Sequence, residues 1–91
     1  MKTRILINPM LQERYDVPSV VEVECDTVGE CLKDLARQYP DSRNWFEDES
    51  GLIRVFVTIN NTDTINIDEN GLKTRLNPGD EIGIFALIGG G

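Results

Sequence analysis

Short runs of alternating apolar and polar residues cover most of this chain, and one stretch changes to a period of three and four. Thr3 to Asn8 holds Ile5-Leu6-Ile7 and is stopped by Asn8-Pro9, which predicts a first strand. Met10 to Pro18 reads as a polar connection. Ser19 to Cys25 places Val21, Val23 and Cys25 on one face, with Glu22 and Glu24 on the other. That alternation predicts a half-buried strand paired with the first as a hairpin. The period then shifts. Val28, Cys31, Leu32, Leu35, Ala36 and Tyr39 form one stripe at steps of three and four, as in an amphipathic helix. Thr27 and Glu30 make a capping box at its start, and Pro40 stops it at Tyr39.

Asp41 to Gly51 is polar except for Trp45-Phe46, a pair expected to cover one end of the core. Leu52 to Asn60 is the strongest strand pattern, with Ile53, Val55, Val57 and Ile59 on the core face. Asn60-Asn61 and Thr62-Asp63 supply turn chemistry, and Thr64 to Ile67 returns as a short strand. After a turn at Asp68-Glu69-Asn70-Gly71, Gly71 to Leu76 is expected to make a short helical turn with Leu72 and Leu76 facing inward. Asn77-Pro78-Gly79-Asp80 is a tight turn. Glu81 to Leu87 is the last strand, with Ile82, Ile84 and Ala86 toward the core. The order β-β-α-β-β-β predicts an α+β fold of the β-grasp type: a mixed sheet of about five strands with one main helix on one face. The last strand is strongly apolar and is expected to sit centrally, beside the first. Residues 1–87 form the domain and residues 88–91 a flexible tail.

Composition narrows the chemistry. With 91 residues the chain holds one small core. Its formal net charge of -7 argues against a nucleic-acid partner. Apolar runs are too short for a membrane span or a signal peptide, so the expected location is cytoplasmic. There is no histidine, which removes His-based acid/base catalysis and most zinc sites. Two cysteines, Cys25 and Cys31, are too few for a disulfide framework, and their six-residue spacing is not a redox motif. Both fall on core faces, where Cys acts as a small hydrophobe. Glu47, Asp48 and Glu49 with Asp63, Asp68 and Glu69 lack calcium-loop spacing and read as a solvated face. No catalytic or metal-binding set emerges.

What is left is the end of the sequence. Ile88-Gly89-Gly90-Gly91 follows an apolar strand and offers a thin arm without side chains. A β-grasp pattern running from Asn77-Pro78-Gly79-Asp80-Glu81-Ile82 through Phe85-Ala86-Leu87-Ile88 into Gly-Gly resembles the ubiquitin-like sulfur carriers of the MoaD/ThiS family. Length and the middle loop are more similar to the MoaD branch. The resemblance implies a carrier, not an enzyme. The Gly91 carboxylate would be adenylated by a ubiquitin-activating-type adenylyltransferase that uses ATP and Mg²⁺. A sulfur donor, a sulfurtransferase or cysteine desulfurase, would turn it into a thiocarboxylate. A downstream acceptor enzyme would then take the sulfur for molybdopterin, thiamin-type or sulfur amino-acid biosynthesis. Gly89 and Gly90 would thread the arm into the partner's active site. Two other readings share the activation step: a ubiquitin-like modifier joined to lysines through Gly91, and the small non-catalytic subunit of a molybdopterin-synthase-type enzyme.

A second site is a surface. Strand alternation puts Leu6, Phe56, Phe85 and Leu87 on the solvent side of the sheet. If the last strand lies beside the first and the first beside the third, they join into one apolar patch at the root of the arm. Phe85 and Phe56 would anchor the activating enzyme, with Leu87 and Ile88 nearer its channel. The competing expectation is that the middle loop folds over this face.

Overall fold

The computed structural model describes residues 1–46, 53–65 and 68–88. Five strands make one mixed sheet: β1 (Lys2–Ile7), β2 (Val20–Glu24), β3 (Ile53–Ile59), β4 (Asp63–Ile65) and β5 (Glu81–Ile88), in the order β2-β1-β5-β3-β4. β1 and β5 pair in parallel, and the other pairs are antiparallel. This is the expected β-grasp sheet, with the last strand at its centre. One adjacency differs from expectation. The third strand pairs with β5, not with β1. β5 is flanked by β1 and β3 along its two edges and buries Ile82, Ile84 and Ala86 on its inner face. β5 also runs through Ile88, one residue past the expected end of the last strand at Leu87.

Strand parity fixes the core. Ile5, Ile7, Val21, Val23, Val57, Ile59, Ile82, Ile84 and Ala86 are buried on the inner face. The main helix, α2 (Val28–Gln38), lays Val28, Cys31 and Leu35 against them. Its start follows the sequence closely. The Thr27 hydroxyl accepts from the Glu30 N–H at 3.2 Å, and the Glu30 carboxylate accepts from the Asp26 N–H at 3.2 Å. Two side chains tie the helix to edge strand β2. Asp34 accepts from the Glu24 N–H at 2.9 Å, and Gln38 donates to the Glu22 carbonyl at 2.9 Å. The Glu24 N–H and then Arg37 hold the Asp34 carboxyl below the usual carboxylate range. A lowered carboxyl stabilises above its ordinary pKa, and that contribution is lost as pH falls through the lowered value.

The segment expected as a polar connection is corrected to a helix, α1 (Pro9–Tyr15). Asn8 caps it, its side chain accepting from the Met10 N–H at 2.9 Å, and Pro9 sits where its missing N–H costs nothing. Leu11 is its one buried residue. Seven residues anchored by Leu11 and the half-buried Met10 and Tyr15 still rely on the cap, so Asn8→Ala should cost about 1 kcal/mol, read as a lowered urea midpoint.

The remaining helices close the ends of the core. A 3-10 helix spans Pro40–Phe46 and buries Trp45, whose ring lies 5.6 Å from that of Tyr15. The short helical turn α3 (Glu69–Leu72) begins two residues earlier than expected, with Asp68 as its cap. Leu76 is buried beyond it. Asn77-Pro78-Gly79-Asp80 is the expected turn, with Gly79 at φ 90° and the Asp80 N–H donating to the Asn77 carbonyl at 3.0 Å.

The reading of two separate cysteines is also corrected. Cys25 follows β2 and Cys31 lies in α2, which brings their Cα atoms to 5.1 Å and joins the sulfurs as a disulfide. The bond staples the β2–α2 corner. Both residues are buried, as their core faces require. The acidic group at Glu47, Asp48 and Glu49 lies outside the described residues. No helix among the described residues is long and apolar enough to cross a membrane.

Candidate functional site

The outer face of the sheet changes character along β5. At the start of that strand, register aligns Glu22, Arg4 and Glu81, and Arg4 pairs with Glu81 at 2.6 Å. Asn60 ties the same end together. Its amide donates to Asp80 at 2.9 Å, and its carbonyl oxygen accepts from the Glu81 N–H at 3.0 Å. The Asn77 N–H and Asn60 hold the Asp80 carboxyl below its ordinary range.

One step along the strand the face turns apolar. Val20, Leu6, Gly83 and Thr58 align across four strands, and Phe85 stands opposite Phe56 in the next row. Leu87 follows opposite Arg54, and Ile88 pairs with Ile53 at the end of the described strand. Leu6 is 39% exposed and Phe85 37%, while Phe56 is half-buried. The structure therefore brings Leu6, Phe56 and Phe85 onto one face. Leu87 and Ile88 are placed by backbone register. Gly89, Gly90 and Gly91 lie outside the described residues. The patch forms through a different adjacency from the one expected, because β5 itself separates β1 from β3.

Gly83 is the residue the sequence reading missed. A Cβ at this position would sit 2.7 Å from the Thr58 Oγ1 and 2.9 Å from the Phe85 Cε2. The Phe85 ring thus leans back along the strand over a bare backbone. A groove of about 420 Å³ opens beside it, bordered by Leu6, Pro9, Thr58 and Phe85. The Thr58 hydroxyl is buried there without a partner among the described residues. A glycine inside a strong strand pattern is itself a sign of close approach, and that signal was available. Gly83→Ala should push the Phe85 ring outward and cost about 1 kcal/mol by overpacking. A changed Phe85 ring environment in NMR spectra, with the fold kept, is the expected result.

Among the described residues no three acidic or Cys side chains converge as a metal site. A model of the ThiS family matches residues 5–91, which includes the whole apolar face and the glycines beyond it. The chain belongs to the ThiS family. Its members are ubiquitin-like β-grasp sulfur carriers, and small carriers of this kind are generally not catalysts. Solved structures agree on the fold. A chain of the Amycolatopsis orientalis BexX/CysO complex is 22% identical, with a TM-score of 0.73 over 98% of this chain and 99% of that one. Mycobacterium tuberculosis CysO is 21% identical, with a TM-score of 0.71 over 94% and 99%. Small archaeal modifier protein 1 from Methanosarcina acetivorans is 25% identical, with a TM-score of 0.72 over 99% and 96%. No curated protein sequence matches.

Proposed function

We propose that this ThiS-family chain carries sulfur as a thiocarboxylate on Gly91. The observation that carries the reading is the apolar band of Leu6, Phe56 and Phe85, which lies along the central strand leading to the glycines. The family match through residue 91 supports it. A terminal carboxylate is a poor electrophile. Its oxygen attacks the α-phosphorus of ATP on the activating enzyme and pyrophosphate leaves. A persulfide sulfur then attacks the acyl carbon and AMP leaves, and a thiol reductant frees the thiocarboxylate. Mg²⁺ and the ATP-binding groups belong to the partner.

The role of this chain is presentation. Leu6, Phe56 and Phe85 anchor the partner, Leu87 and Ile88 lie at the channel mouth, and Gly89 and Gly90 pass through it without side-chain obstruction. Its length and middle loop favour the MoaD side of the family. We place its acceptor among enzymes of molybdopterin, thiamin-type or sulfur amino-acid biosynthesis. A small non-catalytic subunit of a molybdopterin-synthase-type enzyme is one form of this role. That one neighbour comes from a BexX/CysO complex supports a carrier that works with a partner protein.

A second reading has its own support in the neighbours called small archaeal modifier protein 1. In it a lysine amine, not sulfur, takes the activated Gly91 acyl group. Reconstitution with the host's activating enzyme and ATP tests the shared step. Pyrophosphate release dependent on Gly91 is expected, and its absence overturns both readings.

A further inference from the structure

The helical side of the molecule carries a feature that sulfur transfer at Gly91 does not use. A cleft of about 1090 Å³ lies between α2, the 3-10 helix and α3. Lys33, Arg43, Lys73 and Arg75 line it, four of the nine Lys and Arg residues in a chain of net charge -7. Leu32, Ala36 and Leu72 supply an apolar lining. Two carboxylates also border it, and both are engaged. Glu30 is held by the Asp26 N–H and the Thr27 hydroxyl of the cap, and Glu69 pairs with Lys73 at 3.6 Å. Four cations against two carboxylates leave the cleft positive on an acidic protein.

The cleft is fixed by backbone. Thr27 and Arg75 form an antiparallel bridge, the Val28 N–H donates to the Thr74 carbonyl at 3.0 Å, and the Leu76 N–H donates to the Asp26 carbonyl at 2.9 Å. α3 presses directly on α2. A Cβ at Gly29 would come 3.0 Å from the Leu72 carbonyl oxygen. Arg75 is therefore held on the rim.

We propose that this cleft docks an acidic segment of a partner protein, with an apolar side chain of that segment seated on Leu32 and Leu72 and its carboxylates on Lys33, Lys73 and Arg75. Charge complementarity selects the occupant. The rim is cationic where the rest of the chain repels anions, and the apolar lining disfavours a bare ion. The volume exceeds what one small anion fills. α2 covers the inner face of the sheet, so this site lies on the side away from Phe85. Both surfaces can be occupied at once, which lets a carrier hold one protein while presenting Gly91 to another.

The test uses the whole chain, ¹⁵N-labelled, titrated with a synthetic peptide of Glu and Asp carrying two leucines one helical turn apart. Expected are amide shifts clustered on Thr27 to Lys33 and Lys73 to Leu76, weakened by added salt. Lys33→Glu with Arg75→Glu should loosen binding roughly tenfold or more. Lys33→Gln with Arg75→Gln should loosen it less, and provides the comparison if the reversed pair fails to fold. The proposal is overturned if no shifts appear, if they fall on Leu6 and Phe85, if a peptide with Lys in place of Glu and Asp binds equally, or if inorganic pyrophosphate binds the cleft more tightly than the peptide. None of these outcomes depends on whether Gly91 is activated.

Discussion

Deleting Gly90 and Gly91, or adding one residue after Gly91, is expected to reduce activation by the adenylating partner to background while the melting temperature stays where it was. Both changes act on one atom group. In the proposed mechanism, deletion withdraws the carboxylate from the α-phosphorus it would have to reach, and an added residue turns the Gly91 carboxylate into a neutral amide and carries the terminal carboxylate one residue past that point. Reaction requires atoms held about 3–3.5 Å apart, and two residues of extended chain span roughly 7 Å. No partial activity should therefore survive. The core is built from β1, β2, β3, β5 and α2, none of which includes these glycines, so stability should not follow activity. Pyrophosphate release and a thermal melt, run on the same preparations, check the two halves. A fully active deletion would remove Gly91 from the mechanism.

Phe85→Asp is expected to lower kcat/KM for adenylation about 30-fold or more, the consequence of losing an aromatic anchor worth 2 kcal/mol or above. Its ring is exposed, stands opposite Phe56 and lies beside Leu6 on the strand that leads to the glycines. An aspartate there would add a buried, unpaired charge to any interface. The folded domain should lose only about 1 kcal/mol, since an outward residue of a central strand contributes mainly β propensity. Phe85→Leu separates area from charge and should recover most of the rate. An unchanged rate in Phe85→Asp, with the fold intact, would move docking elsewhere.

Much of this architecture was legible because local rules agreed with one another. The α2 stripe, its Thr27–Glu30 box and Pro40 all point to the same helix. Strand parity assigned Ile82, Ile84 and Ala86 inward and Phe85 outward, as found. What stayed hidden was non-local or marginal. Periodicity does not say which strand neighbours which, so the contact of β3 with β5 appeared only in the register. α1 has one buried residue, Leu11, with the half-buried Met10 and Tyr15 and the Asn8 cap beside it, too little periodicity to stand out in a polar segment. Spacing alone could not show that a corner brings the Cα atoms of Cys25 and Cys31 within 5.1 Å. The basic cleft joins Lys33 and Arg43 to Lys73 and Arg75 across half the sequence, beyond any local window.

The central claim concerns the chemical state of Gly91. Intact-mass measurement of the protein purified from its native host, with its activating enzyme present, reads that state directly. A species heavier by one sulfur in place of one oxygen, localised to the C-terminal peptide and lost on alkylation of the thiocarboxylate, is the predicted result. A chain found only as the free carboxylate, or only in conjugates with lysines of other proteins, would contradict it.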